Sequence, residues 1–384
     1  MGRYRLIDGL RGLAALLVLL SHVGFWTGAD GLDVSGGLLA RGDSGVAVFF
    51  AISGFLLLRP WIAAGSGVAA PQAVGVYAVR RAARIVPAYL IALVAVLLVA
   101  GAAGAVGSSD GVGGVGKVLA HLLLVQGYVD TSYQSFSQTW SLTTEATFYL
   151  LVPVIGTWLG RLLHRRSART LYGVLGAVGV AGVAIQGAVG AWTEHSPTTH
   201  AGVLGTSVLG HAAWFAAGAA VAVAVQSGDL ERLREIGVGT WLGSAALVYV
   251  IASSGLAGPR DLHAPTVAEA MCKEFLYTLL AALLLLAAVR GPSDARWTAI
   301  AQSSINRRLG DISYGVFLWH VLVLQVIYLA SGWALFTGPF SAVLFAVLVF
   351  SVMAAAASRS LVEQPVLRWV HRRTRTPRVP ARSA

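Results

Sequence analysis

An arginine and a histidine stand eleven residues apart in the first apolar stretch of the chain, Arg11 and His22 between Asp8 and Trp26. On an α-helix that spacing returns the two side chains to within about 20° of each other, about 16 Å apart along the axis. Both therefore fall on one stripe of a helix long enough to cross a bilayer. An ionisable group at that depth costs on the order of 2.5–3.5 kcal/mol on insertion scales, so its retention points to a task. An imidazole titrates near neutral pH and can take a hydroxyl proton, which makes His22 a candidate general base. A helix–helix hydrogen bond is the plainer reading of the same residue.

Three further clusters carry chemistry. Glu145 opens a later apolar stretch, and the spacing expects it about one turn into the membrane from outside. There a carboxylate can orient His22, balance its imidazolium or accept a substrate hydroxyl, or simply suit the dipole of a helix start. Trp140, Ser141 and Tyr149 flank it as candidate substrate contacts, although both rings also suit an interfacial belt. Arg80, Arg81 and Arg84 precede Pro87 at the mouth of the third stretch. Arg81 and Arg84 share a face if helical, and two guanidiniums make a phosphate-gripping fork. The same arginines also serve as orientation signals. Finally, Tyr314 and a second histidine, His320, lie within a stretch that starts at Asp311, where packing and substrate contact are equally open.

Two resemblances to known sites fail on their chemistry. Gly111 to Lys117 imitates a phosphate loop, but Val118 stands where Ser or Thr would hold magnesium, and no strand precedes it. The nine histidines form no metal-like spacing, so no metal is expected.

The elements that must position these residues are membrane helices. The chain is 56% hydrophobic and 12% charged, against about 25% charged in soluble domains, with a mean hydropathy of +0.72. Ten stretches are candidate spans: roughly 9–27, 44–61, 85–104, 141–159, 170–190, 206–226, 238–257, 270–289, 311–330 and 338–357. An eleventh patch, 115–125, is too short. With ten spans and a cytoplasmic amino terminus, only Arg41, Lys117, Arg260 and Lys273 of the 28 Lys and Arg fall outside. Letting the patch cross would reverse every later loop and spoil that bias, so 105–140 is expected to be one external segment. The net charge of +11 is thus orientation signal and anionic-lipid contact, not a nucleic-acid surface. The single Cys272 excludes an internal disulfide. The expected fold is all-α, a polytopic bundle of about ten transmembrane helices with both termini cytoplasmic. Residues 1–363 form the membrane domain and 364–384 a basic cytoplasmic tail.

Six motifs in order resemble the type-3 membrane acyltransferases, which O-acylate surface glycans, lipopolysaccharide, Nod factors and some macrolides. They are Arg11 with His22; Val48 to Phe55, including Ser53; Arg81 with Arg84; Trp140, Ser141 and Leu142 with Glu145, Phe148 and Tyr149; Ser313 and Tyr314 with His320; and Glu363 with Pro365. Ala146 and Thr147 depart from the Glu-Gln commonly found after the family glutamate. The extracytoplasmic hydrolase-like domain fused to some members is not present, so the chain is expected to work alone or with a separate partner.

The resemblance implies a plasma- or inner-membrane enzyme that takes an acyl group from a cytoplasmic acyl-CoA, acetyl-CoA foremost. The acceptor would be a hydroxyl on a glycan, lipid-linked sugar or macrolide-type molecule. On this reading His22, Glu145 and Arg11 are catalytic, with His22 as base in preference to acyl carrier. Arg80, Arg81 and Arg84 hold the donor, while Trp140, Ser141, Tyr149, Tyr314 and His320 contact substrate. The competing class is a proton-coupled transporter or exporter that uses His22 and Glu145 as a relay.

Overall fold

With no water in the bilayer core, every backbone N–H and C=O must pair within its own segment or a closed barrel. Apolar runs of about 20 residues without strand alternation meet that demand as helices. A computed structural model of the chain describes residues 4–32, 34–105, 111–195, 199–233, 235–291 and 295–374, and every regular element among them is helical. In chain order these are α1 (Leu6–Thr27), α2 (Val34–Ala40), α3 (Gly45–Gly65), α4 (Val74–Ala105), α5 (Val115–Leu122), α6 (Trp140–Arg165), α7 (Ala168–His195) and α8 (Thr199–Thr206). They continue as α9 (Ala212–Ser227), α10 (Val238–Ala252), α11 (Val267–Arg290), α12 (Ala295–Gln302), α13 (Ser304–Ser331), α14 (Phe340–Ser358) and α15 (Gln364–Arg373).

Each of the ten apolar stretches becomes one helix. Eight are long and apolar enough to cross a membrane, and α9 and α10 are shorter apolar helices of 16 and 15 residues. The eleventh patch forms α5, whose 8 residues rise only about 12 Å and cannot span about 30 Å of hydrocarbon.

Two ends of the bundle can be told apart by contacts. At one end Arg41, which is buried, donates to the carbonyls of Ala252 (3.0 Å) and Gly258, clamping the α10–α11 connection over the segment that follows α1. Tyr328 donates to the Trp26 carbonyl at the same end. At the other end Asn306 donates to the Arg5 carbonyl, and Arg290 to the Leu233 carbonyl. Most arginines outside the helices' middles gather at this second, arginine-rich end.

Helix α3 is central and packs against α1, α6, α9 and α11. Its crossing with α9 is close because glycines face each other. A Cβ on Gly218 would lie 2.1 Å from the Ala51 carbonyl oxygen, and one on Gly54 would lie 2.5 Å from that of Phe215. In lipid, where helices gain nothing from leaving water, such small-residue contacts supply the dispersion energy of association.

One departure from regular crossing sets up the site. Residues 134–139 form a 3₁₀ segment that dips into the bundle before α6 begins. Buried Gln138 ties it to the middle of α13, donating to the Leu318 carbonyl at 2.9 Å. Helix α6 therefore starts near mid-bundle, not at the surface. After α14 a π-helical turn, Arg359–Glu363, leads into α15. Arg80 of α4 donates to Thr374 through Nε (3.1 Å to Oγ1) and a terminal nitrogen (3.2 Å to the carbonyl), so the first half of the expected tail is a docked helix. Residues 375–384 of that tail lie outside the described residues.

Candidate active site

Five helices line one small cavity, and three of them supply its charged groups. Arg11 enters from α1, Ser53 from α3, Arg81 and Arg84 from α4, and Glu145 and Tyr149 from α6, with Tyr314 of α13 closing the set. The cavity measures about 180 Å³. Ser53 Oγ donates to Glu145 Oε1 at 2.5 Å. Tyr314 donates to the Ile85 carbonyl (3.1 Å), and Tyr77 to that of Tyr149 (3.2 Å), which lock α4 against α13 and α6 at this level. None of Arg11, Arg81 and Arg84 makes a hydrogen bond or ion pair among the described residues, and Arg11 Nε is buried without a partner. Three guanidiniums thus face one carboxylate that is already bonded. The half-buried guanidiniums outnumber the carboxylate, so the cavity is net positive.

His22 lies elsewhere. Two chambers of about 420 and 460 Å³ meet it, and Asp43 and Lys273 line both. Lys273 Nζ pairs with Asp43 Oδ2 at 2.8 Å, and Tyr277 donates to the same carboxylate. The larger chamber has aromatic walls in Trp140, Trp214 and Phe317. Three buried polar atoms on its lining have no partner among the described residues: Glu274 Oε1, Gln138 Oε1 and Trp214 Nε1. The other Glu274 oxygen accepts from His211 Nδ1 at 3.1 Å, with the His211 ring stacked 3.8 Å from Trp214. The smaller chamber carries two carboxylates outside the spans. Burial pushes Asp30 up from its ordinary range, while Asp261 is held down by bonds from the His263 backbone and ring.

The arginine cavity and the larger chamber share a wall, because Val46 and Phe317 line both. Behind His22 sits His320, its ring centroid 4.9 Å away and its Nε2 3.3 Å from His22 Nδ1.

A family model described as an acyltransferase domain matches residues 4–358. The chain belongs to the type-3 acyltransferase family. It is 25% identical to acyltransferase MdmB of Streptomyces mycarofaciens over 389 positions, covering 96% of this chain and 92% of that protein. It is also 29% identical over 381 positions to a putative membrane-bound transacylase, BcsY, of Komagataeibacter xylinus, covering 96% of this chain and 84% of that protein. No solved structure is a significant match. The chain is a multi-pass membrane acyltransferase.

The structure redistributes the residues that the acyltransferase motifs single out. Arg11 and His22 do share a stripe, but they face different spaces: Arg11 the arginine cavity, His22 the chambers. Glu145 does not orient His22. The dip at 134–139 carries the start of α6 down to the middle of α13, so Glu145 falls among the arginines and bonds Ser53. Ser141, Tyr149 and Tyr314 join it there, while Trp140 lines the larger chamber. His320 touches His22 and lines neither space. Arg80 turns away from Arg81 and Arg84 to hold α15. Sequence reasoning missed Asp43, Lys273, Gln138 and the His211–Glu274 pair. The polar interruption Arg41-Gly42-Asp43-Ser44 before α3 was a signal for the first. Lys273 and Glu274 were visible as charges at the start of an apolar run.

Proposed function

We propose that this chain transfers an acyl group, acetyl foremost, from a cytoplasmic acyl-CoA to a hydroxyl of a glycan, glycolipid or macrolide-type acceptor on the other side of the inner or plasma membrane. The observation that carries this reading is the set of three arginines, without hydrogen bond or ion pair among the described residues, around one bonded carboxylate. Such a site suits a multiply charged anion, and the positive-inside rule favours a cytoplasmic position for its end of the bundle. A cavity of about 180 Å³ is below the usual size for a whole ligand, so it suits the donor's diphosphate and the start of its arm, with the nucleotide outside.

The distances fit such a donor. From the diphosphate to the sulfur of coenzyme A run roughly thirteen bonds, which extend to about 16 Å at about 1.2 Å each. Arg11 and His22 are separated by about the same length along α1. An arm gripped by Arg11, Arg81 and Arg84 would pass between Val46 and Phe317 and bring the thioester to His22. The acceptor would occupy the larger chamber, its ring against Trp140 and Trp214, its other hydroxyls donating to Glu274 and Gln138.

Chemistry then needs one base. His22 Nε2 takes the acceptor's hydroxyl proton as the oxygen attacks the thioester carbon. The tetrahedral centre collapses with loss of the C–S bond, and the thiolate recovers the proton from His22. Both products leave neutral at the exchanged atoms. Glu145, with Ser53, sets the spacing of the guanidiniums and keeps the cavity from carrying three bare positive charges.

The test is purified protein in lipid nanodiscs with acetyl-CoA and extracts of cells lacking the protein, read by mass spectrometry. A product one acetyl group heavier than an extract component, formed with stoichiometric free thiol, supports the reading. Absence of thiol release from any acyl-CoA would overturn it.

A further inference from the structure

Three contacts determine where the protons sit on the two buried histidines. His22 Nδ1 lies 2.9 Å from the Val18 carbonyl oxygen, and His320 Nδ1 lies 3.1 Å from that of Val316. Each is the carbonyl four residues earlier on the same helix. A carbonyl oxygen can only accept, so both Nδ1 atoms carry hydrogen. The third contact joins the rings: His320 Nε2 is 3.3 Å from His22 Nδ1. A hydrogen on His320 Nε2 would point at the hydrogen already on His22 Nδ1. His320 Nε2 is therefore bare and accepts. His22 Nδ1–H is shared between the Val18 carbonyl and His320, so the His320 ring is neutral and neutral His22 is the Nδ1–H tautomer.

This leaves one atom unused. His22 Nε2 has its lone pair and makes no hydrogen bond among the described residues, while the His22 ring borders both chambers. The tautomer required of a base acting at Nε2 is thus the only one that the neighbours permit.

We propose that His320 is a positioning residue for His22: it holds the ring in place through Nδ1–H and accepts a strengthened hydrogen bond from the imidazolium formed when Nε2 takes the hydroxyl proton. The proposal rests on the reading of His22 as the base. Only one proton moves, on and off His22 Nε2, and His22 Nδ1–H stays in place throughout. An imidazole lone pair suits this task in a membrane, because it responds to positive charge on its neighbour without bringing a fixed charge of its own. A carboxylate in the same place would be a buried anion in every resting enzyme. The local Val18 carbonyl alone would select the tautomer but leave the ring free to swing about χ2. The contact from α13, 298 positions away, removes that freedom.

The experiment uses the full chain in lipid nanodiscs, labelled with ¹⁵N only at histidine. His22 and His320 signals are assigned by their loss in His22→Gln and His320→Gln. Both should show the Nδ1–H pattern in the wild type. A His22 signal with hydrogen on Nε2 would overturn the proposal whatever the activity. The kinetic arm compares His320→Leu, which fills the space and accepts nothing, with His320→Gln, whose amide oxygen can accept in place of Nε2. Losing a hydrogen bond to a charged group predicts a fall in kcat of roughly 10–150-fold for His320→Leu. Its KM for acetyl-CoA should stay within about twofold, since the donor's grip is elsewhere. His320→Gln should recover most of kcat. Equal losses in both variants, with folding intact by thermal transition, would overturn the positioning role. An active His22→Gln would instead remove the base reading on which it rests, so the two failures are distinguishable.

Discussion

Replacing Arg84 by alanine should separate donor binding from chemistry. The guanidinium lines a cavity with Arg11 and Arg81, has no protein partner among the described residues, and shares Glu145 with both. If it grips a donor phosphate, its removal loses a charge-assisted hydrogen bond worth about 1.5–3 kcal/mol, or roughly 10–150-fold in affinity. That bond lies about 16 Å from the reacting carbonyl and is present in both the bound ground state and the transition state. The loss should therefore appear in KM for acetyl-CoA, with kcat nearly unchanged. Stability should move the other way. Three half-buried like charges with one bonded carboxylate repel one another, so the thermal transition of Arg84→Ala should hold or rise while its donor affinity falls. The assay is thiol release by purified protein, titrated with acetyl-CoA and with S-acetylpantetheine, which has the same reacting end and no phosphate. Wild type should favour acetyl-CoA strongly, and the variant should lose most of that preference. If both donors weaken by the same factor, Arg84 does not read phosphate and the cavity has another purpose.

Other expectations follow from single contacts. His22→Gln keeps a hydrogen-bonding side chain but cannot titrate, and should lower kcat by about 10²–10⁴ while the protein stays folded; near-normal turnover would exclude His22 as base. Gly218→Val places a Cβ 2.1 Å from the Ala51 carbonyl oxygen and forces α9 from α3, costing about 1–3 kcal/mol; an unshifted thermal transition in detergent would contradict the close crossing. Cysteines at the exposed Ser132 and Ser167, in a Cys272→Ser background, should label from opposite sides of the inner membrane, Ser132→Cys from outside and Ser167→Cys only after opening the cell. The reverse pattern would place the arginine-rich end outside and end the case for a cytoplasmic donor.

How much of this was legible in the chain depends on whether a property is local. Backbone pairing in lipid is satisfied within each segment, so apolar length alone located all ten main helices and showed that the 115–125 patch could not cross. The helical period is also local, and it correctly put Arg11 and His22 on one stripe and Arg81 and Arg84 on one face. Depth and company are not local. Glu145 was expected near the outer surface because its helix was assumed to begin there; Gln138, bonded to the Leu318 carbonyl of a segment 180 residues away, draws that start into the middle of the bundle. Arg80 adjoins Arg81 in sequence, yet it serves α15 because a neighbouring residue on a helix points about 100° away. Asp43 and Lys273 meet because α11 packs against α3 and the turn before it, a contact between segments about 230 positions apart. The pairing of His22 with His320 was beyond any pattern reading, since the second ring arrives from α13. Sequence could name the residue types and their faces. Which faces meet, and at what depth, was decided by packing energies between segments that no local rule connects.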